Sequence, residues 1–115
     1  MEAVKHTPGP WTFSRWNEFG DMRFYISQAD GAPHTPQLSD VATLIAETPS
    51  NEWQSIQEAN ARLIAAAPEL LAACQAIVEY QRLAESDETY GLLNAYAKAF
   101  EASIAAVAKA TGEQP

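Results

Sequence analysis

Arg15 and Arg23 are the side chains in the first quarter of the sequence best suited to bind a ligand. They fall on neighbouring predicted strands, which brings them near each other across a hairpin. A guanidinium group binds carboxylates and phosphates through paired hydrogen bonds, and aromatic rings such as Trp16 and Phe19 stack on planar or cationic groups. The grouping predicts either a site for a small anionic ligand or two solvated strand arginines.

Aromatic residues are concentrated in the same stretch. Alternation along a strand buries only one face of a hairpin, so we expect some of these rings on the outer face. Exposed aromatic side chains are typical of protein interfaces. The rings therefore form a candidate partner-binding surface or, alternatively, close over the edge of the core; they are Trp11, Phe13, Trp16, Phe19, Phe24 and Tyr25.

Residue types that support catalysis or metal binding are scattered along the chain. His6 and His34 lie in proline-containing loops without a second ligand at helical or hairpin spacing. Cys74, the one cysteine, falls on an apolar helical face and is expected to be a packed thiol. No glycine-rich loop joins a strand to a helix, as a phosphate-binding loop requires. We therefore expect a protein that is not an enzyme and needs no cofactor or metal.

Acidic residues dominate the charge of the chain. The 115 residues include 7 Lys and Arg against 15 Asp and Glu, a net charge of −8. Direct nucleic-acid binding is not expected, because it requires clustered basic residues. Glu85, Asp87 and Glu88 could offer an acidic surface to a basic partner protein, or they form only a solvated turn. The charge as a whole suits basic partners or serves solubility alone.

The sequence also predicts where the protein works. It has no basic segment followed by an apolar run at its start, and no apolar run near the ~18 residues that span a bilayer. A lone cysteine fits a reducing compartment. We expect a cytoplasmic protein that does not enter a membrane.

Length and patterning predict a single α+β domain over residues 1–115, with a small antiparallel sheet packed on three helices. Residues 1–10 are expected to form an extended arm, and residues 113–115 a frayed tail. The sheet has two to three strands within residues 11–47. Strands at 11–16 and 23–28 form a hairpin, and 40–47 is expected to be a third strand, although its composition also fits a helix.

The three helices are expected at about 49–66, 68–84 and 88–110. Thr48 is the predicted cap of the first helix and Pro49 its first residue. Gly112 is expected to end the third helix, which is long for so small a core and favours a homodimer. Large apolar residues at helical spacing predict the packed faces; they are Trp53, Ile56, Leu63 and Ile64, then Leu70, Leu71, Cys74, Ile77 and Val78, then Leu93, Tyr96, Phe100, Ile104 and Val107.

Pro68 lies at the centre of the longest apolar stretch. Its ring and missing amide hydrogen either kink one helix or start a new one, and we favour a break. Asn60 lies near the apolar face and is expected to cap a neighbouring backbone, whereas Arg62 is expected to be solvated or paired with an acid. Alanines at 65–67 and 72–73 would allow another element to approach closely.

Two motifs resemble a family of small phage and prophage proteins. One is His6-Thr7-Pro8-Gly9-Pro10-Trp11, and the other runs from Ala59 through Asn60, Arg62 and Pro68 to Leu71, reading ANARLIAAAPELL. Pro10 and Trp11 close the first motif. The resemblance covers residues 6–74 and omits the third helix. It implies a phage-encoded accessory protein in the bacterial cytoplasm and assigns no catalytic residue.

These observations favour a non-enzymatic phage protein that binds and inhibits a bacterial host protein. The sharpest form is a counter-defence inhibitor of the anti-CRISPR kind, which blocks a nucleic-acid-targeting complex with its acidic surface. One alternative is a homo-oligomeric sponge that sequesters a nucleotide-type immune signal through Arg15, Arg23 and nearby aromatic rings. Another is a minor structural phage protein.

Overall fold

The computed structural model describes residues 6–29, 44–86 and 91–113, except the side chain of residue 18. It has the predicted α+β fold, with three strands followed by three helices. The strands are β1 (Trp11–Glu18), β2 (Asp21–Gln28) and β3 (Leu44–Glu47). The helices are α1 (Gln54–Ala65), α2 (Ala67–Glu85) and α3 (Leu92–Thr111). The start of the arm, residues 40–43 of the predicted third strand, Asp87, Glu88 and the end of the tail lie outside the described residues.

The three strands form an antiparallel sheet in the order β1-β2-β3. The predicted hairpin is confirmed, with longer strands and a tighter turn than expected, because Glu18 already pairs with Asp21. Phe19 and Gly20 make the two-residue turn with φ values of 55° and 78°. Two positive φ values are characteristic of a type I′ turn, whose twist matches that of the strands.

One face of the sheet packs on α1 and forms the core. Alternate residues of β2 are buried, so Phe24 and Ile26 point towards this face. They meet Ala61 and Ala65 of α1, and Phe13 packs on Phe24 with ring centroids 6.0 Å apart. The small alanines let α1 approach the sheet closely, as their positions predicted.

The first helix begins later than predicted, at Gln54 instead of Pro49. Thr48 is not its cap, because the Thr48 hydroxyl accepts a hydrogen bond from the amide of Phe24 and donates one to Gln57 Oε1, 2.6 Å away. Gln57 is fully buried and donates to the carbonyls of Met22 and Glu52. These contacts satisfy the backbone groups of β2 that lie beyond the end of β3, before the chain turns into the helix.

The chain breaks between α1 and α2, as favoured from Pro68. Ala66 alone separates the two helices, which are bent by 47°, and Pro68 lies in the first turn of α2. The missing amide hydrogen of Pro68 costs nothing there. The junction residue is Ala66 rather than the expected Ala67. Ala65 and Ala66 are both buried at this junction.

The helices α2 and α3 pack on each other, and α3 also contacts α1. Their buried residues are Ala73 on α2 and Ala99 and Ala106 on α3. As predicted, Gly112 ends α3 in the left-handed conformation. The long dimension of 61 Å and the radius of gyration of 17.4 Å, against about 13 Å for a compact domain of this length, show that this helical hairpin projects from the body.

The predicted packed faces of the helices are wrong for most of their residues. On α1 the buried residues are Gln57, Ala61 and Ala65, and Ile64 packs half-buried against the core as predicted, while Asn60, Trp53, Ile56 and Leu63 are exposed. Cys74 is exposed as well, instead of being a packed thiol. Small residues form the contacts because they let helix backbones come close, which leaves the large ones outside; those are Trp53, Ile56, Leu63, Leu71, Ile77, Val78, Leu93, Tyr96, Phe100, Ile104 and Val107.

Candidate functional site

The outer face of the sheet presents two aromatic rings and an ion-paired arginine. Trp16 and Tyr25 lie next to each other edge to face, with centroids 6.0 Å apart. Arg23 donates to both carboxylate oxygens of Asp21 and to Glu47 Oε1 at 3.0 Å. The hydrogen bonds to Asp21 raise the pKa of Arg23.

Arg15 does not join this group. In the β1–β2 register it is opposite Phe24, whose side chain is in the core, whereas Arg23 is opposite Trp16. Directly paired residues of antiparallel strands share a face, so Arg15 and Arg23 lie on opposite faces of the sheet. The prediction that the two arginines lie near each other is therefore wrong. Arg15 is exposed at the rim of the inner face.

Phe19 occupies the tip of the β-hairpin. Its side chain is 96% exposed, and its φ of 55° places the backbone in the left-handed region. A bulky residue is uncommon there, and Asn, Asp or Gly is the usual choice at this turn position. The chain therefore holds an exposed ring at a backbone position that disfavours it. Backbone strain of this kind concentrates at functional sites.

The acidic residues predicted for partner binding lie elsewhere. Glu85 is exposed at the end of α2 and accepts a hydrogen bond from Gln81 at 2.9 Å. The helix α2 packs mainly on α3 rather than on the strands, and Glu85 is its last residue. The structure therefore does not make Glu85 part of the aromatic outer face.

The two sequence motifs meet at a junction between the arm and the start of α2. A Cβ atom on Gly9 would lie 2.9 Å from Cβ of Pro68, so the arm passes directly over the proline. Pro10 leads into β1, and its carbonyl accepts from the amide of Ala29 at 2.9 Å. Lys109 Nζ binds the Trp11 carbonyl at 3.0 Å and Glu69 at 2.8 Å, which fixes the end of α3 to the junction.

The family model of Salmonella phage P22 protein Y8K6 matches residues 1–114. The chain belongs to this phage protein family. No match was found among curated proteins, and none among solved structures. The match covers the third helix as well, which the motif resemblance left out. It supports the predicted phage origin and does not test the motifs themselves.

Within the P22 Y8K6 family fold, Arg62 connects three parts of the chain. It pairs with Glu58 at 3.4 Å, which is one of the two expected outcomes, solvation or pairing with an acid. Its guanidinium carbon lies 5.4 Å from the centroid of the Phe13 ring, a cation–π contact. A Cβ on Gly112 would lie 2.8 Å from its Nε, so the arginine also fills the space beside the end of α3. Its role here is structural.

Sequence reasoning missed the apolar surface of the helical hairpin. It identified the residues by their spacing but assigned them to the core. The signal that could have found this surface is the large number of apolar residues on α2 and α3. Alanines already occupy the positions that face the neighbouring helix, so many of the larger side chains must point elsewhere.

The described residues of this family member contain neither a metal-binding cluster nor a single helix suited to cross a membrane. Its His, Cys, Asp and Glu side chains form no group of three that could hold a metal ion. No single described helix is both long and apolar enough to cross a membrane, although the bent pair of α1 and α2 meets the criteria of length and composition.

Proposed function

We propose that this phage protein is a non-enzymatic accessory protein that binds and inhibits a bacterial host protein in the cytoplasm. The binding site that we assign to it is the tip surface of the β-hairpin, defined by Trp16, Phe19, Arg23, Tyr25 and Glu47. The observation that supports this most directly is Phe19, an almost fully exposed ring at a strained backbone position. Aromatic residues of this kind are the usual anchors of protein interfaces.

The other side chains of the tip surface favour a protein partner. Trp16 and Tyr25 offer rigid apolar area that loses little side-chain entropy on binding. Arg23 with its two carboxylates, Asp21 and Glu47, leaves one net negative charge beside them. Such a mixed aromatic and acidic surface suits a partner with an apolar pocket ringed by basic residues.

The acidic charge of the whole chain extends this proposal to a class of partner. Proteins that bind nucleic acids carry basic surfaces, and a net charge of −8 attracts them and repels nucleic acid itself. A nucleic-acid-targeting defence complex is therefore the host target that we propose. Blocking it would be a counter-defence function of the anti-CRISPR kind.

No observation favours the small-ligand alternative. Arg15 and Arg23 lie on opposite faces of the sheet, and Arg23 already binds two carboxylates. A phosphate would have to displace Asp21 or Glu47 to reach it.

The test is an affinity capture from bacterial lysate with three tagged proteins. The wild type and Thr12→Asn, an exposed change further along the same outer face, should retain one stoichiometric partner, and Phe19→Asn should lose most of it. The captured partner's activity should fall on addition of the wild type and not of Phe19→Asn. Equal capture by all three proteins would contradict the tip surface. Recovery of the protein in purified phage particles would favour a structural role instead.

A further inference from the structure

The projecting helical hairpin has one face on which the described residues carry no charge. Its apolar hairpin face is defined by Ile77 on α2 and by Leu93, Tyr96, Phe100, Ile104 and Val107 on α3. Each of these six side chains is between 43% and 79% exposed. On α3 they repeat at spacings of three and four residues, so they form one continuous stripe.

The stripes of the two helices lie on the same side of the hairpin. A shallow groove of about 270 Å³ runs between them and is lined by Ile77 and Tyr80 from α2 and by Tyr96 and Phe100 from α3. The rings of Tyr80 and Tyr96 meet edge to face at 5.5 Å, and Tyr96 stacks on Phe100 at 6.2 Å. The two helices therefore present a single apolar surface with an aromatic centre.

The charged residues of the hairpin lie on its other sides. Glu79 accepts hydrogen bonds from Arg82, and these bonds together with the nearby charge of Lys98 lower the pKa of Glu79. Glu79 and Lys98 thus lie near each other on a side that the helical spacing separates from Ile77 and Phe100. Along residues 70–84 and 93–107 charge is segregated from the apolar hairpin face.

The fully buried contact inside the hairpin is made by small side chains. Its fully buried residues are alanines, which bury little apolar area compared with the rings left outside. A two-helix unit that extends from the body and exposes large apolar side chains would gain hydrophobic free energy if these were covered.

We propose that the apolar hairpin face binds a second copy of this chain. Two hairpins joined face to face about a two-fold axis form a four-helix bundle, in which the ring-lined grooves interdigitate. The two rings each offer roughly half of 150–250 Å², and with about 100 Å² from each aliphatic side chain the face provides on the order of 600 Å². Twice that area exceeds the roughly 1,000 Å² of a stable biological interface.

A second copy fits this face better than a host protein does. The face is almost entirely apolar along the described residues, and a high apolar content is typical of permanent homodimer interfaces. Isologous pairing also needs only a surface that complements itself, and the row of rings around a groove supplies both knobs and holes. The dimer leaves the tip surface on β1 and β2 free, so it is independent of the proposed host target.

The test is the molar mass of the full chain by light scattering after size exclusion. The wild type should elute at twice its 12.5 kDa, and Phe100→Glu at the monomer mass. Ala105→Glu places the same charge on an exposed position of the same helix, away from the face, and should remain a dimer. A monomeric wild type at micromolar concentration, or a dimeric Phe100→Glu, would overturn the proposal.

A second measurement covers the case in which Phe100→Glu does not fold. The melting temperature of a wild-type dimer should rise by roughly 3–5 °C for each tenfold increase in protein concentration. A melting temperature independent of concentration would overturn the dimer. So would a monomer that binds lipid vesicles through this face, which circular dichroism and vesicle co-sedimentation would reveal.

Discussion

Gln57 is the most deeply buried polar side chain between α1 and the sheet. It accepts from Thr48 and donates to the carbonyls of Met22 and Glu52, so all three of these groups depend on one amide. Polar groups at such a place stabilise a fold only while every partner is satisfied. The network explains why the chain tolerates a glutamine where the helical pattern demands an apolar residue.

Replacing Gln57 by Met should therefore destabilise the protein strongly. The change keeps the side-chain volume but removes the acceptor of the Thr48 hydroxyl proton and the donor to two carbonyls, at a cost of about 2–4 kcal/mol in the free energy of unfolding. Urea denaturation followed by circular dichroism measures it. Gln75→Met on the exposed side of α2 is the matched control and should change stability by less than ~0.5 kcal/mol. Equal effects of the two changes would show that the network contributes nothing.

Phe19 should combine a cost in stability with a gain in binding. Phe19→Asn places at the turn a residue that tolerates a positive φ, and it should raise the free energy of unfolding by about 0.5–1 kcal/mol. The same change should abolish host-protein binding. Thermal melting and affinity measured on one preparation test both effects, with Phe19→Tyr as the variant that keeps both properties. A destabilised Phe19→Asn would show that the ring packs within the fold.

At the scale of elements, the junction of the arm with α2 holds the sheet and the helical hairpin together. Gly9 passes over Pro68, while Lys109 reaches from the end of α3 to Trp11 and Glu69. Three segments that are distant in sequence thus converge on the helix break. The bend of 47° between α1 and α2 directs the helical hairpin away from the sheet.

Gly9→Ala should loosen this junction. The added Cβ would lie 2.9 Å from Cβ of Pro68, so backbone must move, at a cost of about 1–3 kcal/mol. Ser14→Ala, an exposed change on β1, serves as the control. Hydrogen exchange should show faster opening at the start of α2 in Gly9→Ala alone. Unchanged exchange there would mean that the arm shifts without disturbing the helix.

Much of this element arrangement was predictable, and its failures have physical causes. The hairpin, the helix break at Pro68 and the stop at Gly112 follow from local chemistry that tertiary contacts rarely override. The start of α1 was mistaken because the Thr48 hydroxyl binds the backbone of β2 beyond the end of β3 instead of capping a helix. The buried helix faces were mistaken because Ala61, Ala73 and Ala106 make the contacts. Hydrophobic periodicity locates large residues but does not say which molecule covers them.

The candidate site divides in the same way. Phe19 and Trp16 were identified from residue type, and the structure adds the exposure and backbone strain of Phe19. The relation between Arg15 and Arg23 depends on strand register, which a two-residue turn fixes and which the predicted longer turn did not. One step of register moves a side chain to the other face. Asp87 and Glu88 stay predictions.

At the scale of the whole molecule, the net charge and the proposed contact surface should contribute to partner binding in different ways. The tip surface supplies aromatic anchors, whereas the net charge of −8 acts at a distance on any basic partner. Glu85 is the last residue of α2, which packs mainly on α3 rather than on the strands that carry the tip surface. Its contribution to partner binding should therefore be electrostatic attraction during approach.

Replacing Glu85, Asp87 and Glu88 by Lys changes the charge at each site from −1 to +1, so the net charge changes from −8 to −2. The association rate with a basic host protein should fall roughly tenfold at low salt, while the dissociation rate stays within about twofold. Surface plasmon resonance at two salt concentrations measures both. A faster dissociation would place these acids inside the interface. Unchanged rates would exclude steering by this end of the molecule.

The contact of Gly9 with Pro68 also has a consequence for how this phage family evolves. Because a single side-chain atom at position 9 collides with the ring that begins α2, neither residue is free to drift alone. Lineages that exchange the glycine should carry a compensating change at or beside the proline. Recombination between phages that separates the two segments would join mismatched halves. We expect correlated substitution at these two positions, and independent variation would show that the arm is docked in another way in other members.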